Sequence, residues 1–143
     1  MAKLLRKRRT TILVKGDQKL AGSLAEQIIK NYNVKIIQKP ENGLVMVKMR
    51  ESSARKLFYL GELLVTECKI QINEVSGVGL VLDDRQELAY YLAVIDAAYN
   101  AALPEVESWE SVLMVEEEKI TAREAKEHLK LLKTKVNFET MDV

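Results

Sequence analysis

Two carboxylates that lie beside glycines are the residues of this sequence best placed to contact another molecule. Glu41 lies in the run Glu41-Asn42-Gly43, and Glu62 directly follows Gly61, each at the edge of a predicted strand. Such a carboxylate accepts hydrogen bonds or an ion pair. The pattern therefore allows a contact at a subunit interface or a ligand pocket, and it equally fits ordinary solvated turns, which are more common.

The one cysteine and the one histidine of the chain suggest no reactive site. Cys68 lies on the apolar face of a predicted strand, where a buried thiol is inert. His128 lies in a charged helical segment without an evident acid or nucleophile partner, so we predict a solvated residue and not a general base. Two such ligands are too few for a Cys/His zinc site, and no acidic cluster has a recognisable loop spacing. We therefore predict no catalytic residue, no cofactor and no metal.

The glycine and arginine patterns are weak indications of phosphate binding. The sequence has no phosphate loop, no dinucleotide fingerprint and no hydrolase or metalloprotease motif. Gly77-Val78-Gly79 lies between strands, which favours a hairpin or a close backbone approach. The basic run Arg6–Arg9 could meet phosphates, form a solvated helix face or pair with a partner subunit, and it lacks the aromatics that stack on bases. We predict no nucleic-acid partner.

Apolar periodicity and capping residues predict the helices that must support these residues. Asp17 is a predicted N-cap, Asp84–Glu87 resembles a capping box with an acid in first position, and Thr121–Glu124 matches one. Pro104 is predicted to end the third helix. The predicted helices are Lys3–Val14, Gln18–Tyr32, the stretch from Asp84 to about Ala102, a weaker Val106–Val115, and Thr121 to about Lys133. Thr134–Val143 contains β-prone residues and is predicted to be extended.

Period-two alternation and turn residues predict a small sheet. Leu63–Ile72 has the clearest alternation, with Thr66 and Cys68 on its apolar face. The other predicted strands are Val34–Gln38, Leu44–Met49 and Val78–Leu82, with turns at Lys39–Gly43 and Asn73–Gly77. The result is a single α+β domain over residues 1–143, a small, mainly antiparallel sheet covered by helices. An exposed sheet face or edge would need a partner.

The composition is typical of a globular protein. The chain has 143 residues, of which 48% are hydrophobic and 30% charged, and its formal net charge is +1. It has no run of about 18 apolar residues that could span a membrane and no signal-peptide pattern. A single cysteine fits a reducing compartment, so we expect a cytoplasmic protein without a membrane partner.

Two blocks of sequence resemble a known family. They are Pro-Glu-Asn-Gly-Leu-Val-Met-Val at Pro40–Val47 and Leu-Gly-Glu-Leu-Leu-Val-Thr-Glu-Cys at Leu60–Cys68. The chain is similar in these blocks to PhnG, a small subunit of the bacterial carbon–phosphorus lyase system. Weaker matches extend the resemblance over roughly residues 6–143: Phe58, Gly77, Gly79, Asp96-Ala97, Thr134, Val136, Phe138, Thr140 and Met141.

The chain departs from the family pattern at several positions. Val78 stands between the two glycines where many relatives have histidine, and Glu67 stands where they have arginine. Asp83-Asp84-Arg85 replaces a Gly-Arg-Asp sequence, and Glu139 replaces a phenylalanine. The resemblance is therefore to a divergent member.

The resemblance implies a role inside a complex. PhnG-like proteins act with PhnH, PhnI and PhnJ, which support synthesis of α-D-ribose 1-methylphosphonate 5-triphosphate from a nucleoside triphosphate and a phosphonate, with the catalytic steps placed on other subunits. We expect a structural subunit that self-associates when isolated. The ligand or interface candidates are Glu41, Gly43, Gly61, Glu62, Thr66 and Arg85. The alternatives are a phosphate- or nucleotide-binding protein and a scaffold outside the pathway.

Overall fold

The described part of the chain forms four helices and a three-stranded antiparallel sheet. A computed structural model describes the backbone from Leu5 to Met141 and the side chains as far as Thr134. The elements are α1 Arg6–Lys15, α2 Gln18–Asn31, β1 Val34–Arg50, β2 Leu57–Ile72, β3 Val75–Leu82, α3 Gln86–Asn100 and α4 Val106–Met141. The predicted α+β class with a small antiparallel sheet is confirmed.

The first two helices lie close to where the sequence predicts them. Asp17 is the N-cap of α2, and its carboxylate accepts a hydrogen bond of 3.0 Å from the backbone N–H of Lys19. This bond satisfies one of the free N–H groups that every helix start presents. The apolar residues of α2 at Ala21, Leu24 and Ile28 are buried, as their spacing predicts.

The sheet has the order β1-β2-β3, with both pairs antiparallel. β2 and β3 form the predicted hairpin, but their connection is tighter than the predicted five-residue turn. Asn73 and Glu74 both have positive φ, 50° and 66°. Positive φ at two central residues is typical of a type I′ turn, whose twist matches that of the strands.

The predicted turn at Lys39–Gly43 is wrong, because β1 continues through it. β1 pairs with β2 from Val34 to Arg50, with register irregularities between Ile36 and Glu41. β1 is an edge strand, so Pro40 can lie in it without removing a hydrogen bond that the sheet needs. These irregularities allow β1 to remain paired with β2 despite the strong local turn preference of Pro40 and Asn42-Gly43.

The predicted division of the C-terminal region is also wrong. Val106–Met141 is one helix of 36 residues. Thr121 does not begin a helix, since its hydroxyl donates to the carbonyl of Glu117 one turn earlier, at 3.0 Å. Thr134–Met141 is helical and not extended, whereas Asp142 and Val143 lie outside the described residues. Glu116–Lys119 are good helix formers, so nothing interrupts the helix there.

The core lies between the sheet and the helices, with α3 at its centre. α3 crosses β3 at Gly77 and Gly79, where a Cβ atom would lie 2.2 Å from the carbonyl oxygen of Ala93 and 2.0 Å from that of Ala89. The two glycines therefore allow the close backbone approach that the sequence predicts. α3 is buried around most of its circumference. α1 and α2 pack against α3, and α4 lies on the outside of this helical layer, where Trp109 contacts Tyr99.

A buried carboxylate joins α1 to α3 and β3. Asp96 accepts hydrogen bonds from the backbone N–H of Val78 at 3.0 Å and from Arg9 at 3.1 Å, and Arg6 pairs with it at the surface. The Arg9 guanidinium lies 3.9 Å from the centre of the Tyr99 ring. Arg8 instead pairs with Glu117 on α4. The arginines of the basic run therefore make their ion pairs within the chain.

Candidate interaction site

Two strands of the sheet extend well beyond the third. β3 ends at Leu82, which pairs with Val65, whereas β1 and β2 remain paired as far as Arg50 and Leu57. Residues 43–50 and 57–65, joined by a turn at 51–56, therefore form a two-stranded projection, which we call the ribbon. This segment contains most of the two sequence blocks noted above.

Large apolar side chains are exposed on both faces of the ribbon. Leu44 and Leu64 pair on the face that Thr66 shares, which is the inner face toward α3, and Val45 and Leu63 pair on the outer face. Each of the ten side chains concerned is between 41% and 64% exposed: Leu44, Val45, Met46, Met49, Leu57, Phe58, Tyr59, Leu60, Leu63 and Leu64. Exposed apolar side chains in this number are typical of a surface that contacts another protein.

A β-bulge bends the ribbon near its middle. The register shifts between the pairs Val47–Gly61 and Lys48–Tyr59, so Leu60 is an extra residue on β2. Gly61 has a φ of +156°, which side-chain-bearing residues rarely adopt. Bulges increase the local twist and interrupt the row of free backbone groups at an edge. Gly61 therefore shapes the ribbon, a role that its position in the sequence alone does not indicate.

Thr66 anchors the base of the ribbon to α3. Its hydroxyl accepts a 3.1 Å hydrogen bond from the backbone N–H of Arg85 and donates one of 2.6 Å to the carbonyl of Asp83. The side-chain amide of Asn42 on β1 lies 3.0 Å from the same oxygen. The predicted cap at Asp84 is wrong, because the N-cap of α3 is Arg85 and it makes no side-chain cap. Instead, the hydroxyl of Thr66, on a strand distant in sequence, accepts a hydrogen bond from the backbone N–H of Arg85.

The candidate residues from the sequence do not converge on one site. Glu41 pairs with Glu67 at the base of the ribbon, and Glu62 pairs with Met46 further out, so the two carboxylates lie about 17 Å apart along β2. Both are exposed. Gly43 pairs with Val65 beside Thr66, and Arg85 takes part through its backbone. The structure thus joins Thr66 and Arg85 but forms no shared carboxylate pocket.

The carboxylate of Glu62 has a partner within the ribbon. It accepts a hydrogen bond from the Tyr59 hydroxyl, and partial desolvation together with this bond raises the pKa of Tyr59. This contact crosses the bulge and supports its shape. The residues that sequence reasoning missed are the apolar ones beside it, such as Met46 and Phe58. The signal for them was the uninterrupted apolar runs Leu44–Val47 and Leu57–Leu60, which do not alternate as a half-buried strand would.

Cys68 and His128 lie outside the ribbon, on β2 and α4. Cys68 is fully buried, and its burial raises the thiol pKa to about 11. His128 is exposed on α4. Among the described side chains, no group of three or more His, Cys, Asp or Glu residues is placed to hold a metal ion. The described helices include none that is long and apolar enough to cross a membrane.

A cleft of about 580 Å³ lies between α1 and the β3–α3 layer. Four charged residues line it, Arg6, Lys7, Arg9 and Asp96, and two of the three basic ones, Arg6 and Arg9, already pair with Asp96. A phosphate there would have to compete with the buried carboxylate of Asp96. The cleft is therefore a poor anion site.

Comparison with known proteins identifies a family. The family model described as phosphonate metabolism protein PhnG matches residues 5–142, which is nearly the whole chain. The comparison with curated proteins found no match.

Proposed function

The chain belongs to the PhnG family of phosphonate metabolism proteins, and from that premise we propose that it is a non-catalytic structural subunit of the carbon–phosphorus lyase core complex. In this proposal it assembles in the cytoplasm with PhnH-, PhnI- and PhnJ-type subunits. The assembled complex supports synthesis of α-D-ribose 1-methylphosphonate 5-triphosphate from a nucleoside triphosphate and a phosphonate. The chemistry belongs to the other subunits.

The ribbon is the observation that carries this proposal. A two-stranded hairpin is only marginally stable in water unless another element packs on it. Here its apolar side chains are about half exposed on both faces. Ten such side chains present on the order of 900 Å² of surface, close to the share that one partner contributes to a specific interface. A subunit whose sequence provides such a ribbon is built to be covered by another protein.

The alternative of nucleotide binding by the chain itself has less support. It would require Glu41, Glu62 or Arg85 to contact a phosphate or a base. The two carboxylates are far apart along β2, and the Arg85 backbone is engaged by Thr66. Calorimetry with the isolated chain and millimolar nucleoside triphosphate tests this alternative, and we expect no binding heat.

Coexpression tests the structural role directly. We expect this chain to comigrate with the PhnH-, PhnI- and PhnJ-type subunits of the same organism through size-exclusion chromatography. Met46→Glu, at the ribbon, should weaken the assembly, because it places a charge in an apolar contact. Met114→Glu is the matched control, since Met114 on α4 is similarly exposed at 47% against 55%. A chain that elutes alone, or a Met114 variant as defective as the Met46 variant, would contradict the proposal.

A further inference from the structure

We infer that the ribbon and the projecting end of α4 act as two arms that together hold one apolar, acidic-flanked segment of a single partner subunit. The α4 arm comprises residues 125–141, and the ribbon is the other arm. This inference rests on the proposed function and specifies how the partner is held.

The α4 arm leaves the body at the end of α1. The two helices run parallel, since Arg8 pairs with Glu117 and Lys15 with Glu124. Arg123 donates to the carbonyl of Lys15, the last residue of α1. Beyond Glu124 the described side chains, as far as Thr134, are all exposed. The helix therefore continues past the body by about 25 Å.

The ribbon leaves the body at the same end. α1 runs antiparallel to α3, because Arg9 contacts Asp96 near the end of α3, whereas Leu13 lines the same cleft as Leu92, which is nearer the start of α3. The end of α1 and the start of α3 thus lie at one end of the molecule. Thr66, from which the ribbon projects, holds the start of α3.

The two arms are of similar length and are separated by at least one helical layer. The ribbon strand 43–50 reaches about 25 Å at the usual rise of a strand, as far as the α4 arm does. In the body, α3 lies between the sheet and α4, with Gly77 and Gly79 against one side and Trp109 near the other. At the end of the molecule from which the arms leave, α4 packs against α1, so the space between the arms is at least one helix wide, roughly 10 Å.

Apolar residues face this space from both sides. Leu44, Met46 and Leu64 lie on the inner face of the ribbon. Leu131 is 68% exposed, and it follows Leu113 by five full helical turns, so it points in the direction in which the buried Leu113 meets the core. The segment that fills the space therefore has apolar residues on two opposite sides, as a helix in a protein core does.

The net charge of the two arms indicates the charge of the partner segment that binds between them. Residues 43–65 contain four basic and two acidic residues, and residues 125–134 contain three basic and one acidic. Each arm is thus net positive, although the whole chain is only +1. Two copies that interlocked their arms would bring like charges together, so this pairing is weaker than pairing with an acidic segment and is expected only when the partners are absent. The occupant is accordingly a segment of a different subunit with acidic residues beside its apolar faces.

Site-specific photo-crosslinking in the coexpressed complex tests the inference. A benzophenone amino acid is placed in turn at the inner positions of Met46 and Leu131. Matched control positions are Val45, on the outer face of the ribbon, and Leu129, on nearly the opposite side of α4 from Leu131. We expect the two inner positions to crosslink to one segment of about 15 residues in one partner, and the control positions not to reach that segment.

A charge reversal provides a second, independent measurement. Lys130→Glu with Lys133→Glu should weaken assembly about tenfold at low salt, and the difference should shrink as salt rises. Lys119→Glu, an exposed position of α4 within the body, should leave affinity unchanged.

The outcomes separate this inference from the proposed function. A complex that forms while the inner positions crosslink to separate subunits, to distant segments or to a second copy of this chain overturns the two-armed arrangement and leaves the subunit role standing. Equal effects of the two kinds of lysine substitution overturn it as well. Failure of any complex to form contradicts the proposed function itself.

Discussion

At the level of single residues, the hydroxyl of Thr66 replaces the cap that the local sequence of α3 lacks. Thr66 itself has no exposed surface, and its bonds to Arg85 and Asp83 are partly buried. Thr66→Val keeps the shape but leaves these backbone groups unpaired, so we expect a loss of about 2 kcal/mol in the free energy of unfolding. Thr66→Ser keeps the hydroxyl and should lose less than about 1 kcal/mol.

Urea unfolding of the two variants measures this difference. A loss for the serine variant that equals or exceeds that of the valine variant would contradict the dominant role of the hydroxyl, because serine keeps the hydroxyl whereas valine keeps the methyl group. The serine variant is thus the control for packing.

The burial of the Cys68 thiol predicts that the folded protein loses stability in alkaline solution. Burial raises the pKa of this thiol from 9.0 to about 11 in the folded protein. Between these values the unfolded chain releases a proton that the folded chain retains, so the free energy of unfolding falls as pH rises through this window. The contribution is about 1.4 kcal/mol between pH 8 and pH 10.

Cys68→Ala provides the comparison, because it removes the titrating group. The fall in the urea midpoint between pH 8 and pH 10 should be smaller in the alanine variant than in the natural chain. The comparison is limited to pH 10 because the titration of Tyr99, whose pKa burial raises to about 12, contributes increasingly to the pH dependence of stability above that pH. An identical pH dependence in both proteins would exclude Cys68 as its source.

Among the elements, the contact between β3 and α3 depends on glycine. A Cβ atom at Gly77 would lie 2.2 Å from the carbonyl oxygen of Ala93 and 2.4 Å from the amide nitrogen of Ala97. These are backbone atoms, so a change of rotamer cannot relieve the overlap. Gly77→Ala should therefore lower the free energy of unfolding by about 3 kcal/mol or more, at the upper end of overpacking effects.

Gly43→Ala is the matched control in the same sheet. No heavy atom lies within 4 Å of the Cβ position at Gly43. Alanine there should leave the thermal midpoint unchanged or raise it slightly, because glycine weakens a strand. Similar destabilisation by both substitutions would show that close packing against α3 is not the reason for Gly77.

The sequence predicted those elements whose signals are local and consistent. The spacing of Leu24 and Ile28, the cap at Asp17 and the alternation around Cys68 all led to the observed elements. Pro40 was misleading because its turn preference is local to a few residues. The position of β1 at the edge of the sheet, where a strand tolerates proline, depends on the arrangement of all three strands. Thr121 was misleading because a capping pattern also fits within a continuous helix.

The candidate site was predicted only in part for a related reason. Thr66 was correctly placed on an inward strand face, but its contact with Arg85 joins residues that are far apart in the sequence. The exposure of Met46 or Leu64 could not be inferred, because an apolar run reads the same whether helices cover it or not. Only the point at which β3 ends reveals which part of β2 is uncovered.

For the molecule as a whole, the exposed ribbon predicts self-association when the chain is isolated. The apolar faces and the strand edges of the ribbon are then free to meet those of another copy. Sedimentation velocity should show a mass that rises with concentration. Met46→Glu with Phe58→Glu should shift the chain toward the monomer, whereas Met114→Glu should not. A purely monomeric natural chain at high concentration would contradict this expectation.

The same ribbon has a consequence for how the cell must produce this protein. A chain made in excess of its partners carries an uncovered apolar hairpin, and such surfaces recruit chaperones, attract proteases or template aggregation. Synthesis in step with the partners, and assembly soon after translation, would keep that population small. In the proposed subunit role, we therefore expect the abundance of the chain to follow that of the partner that covers Leu44 and Leu64.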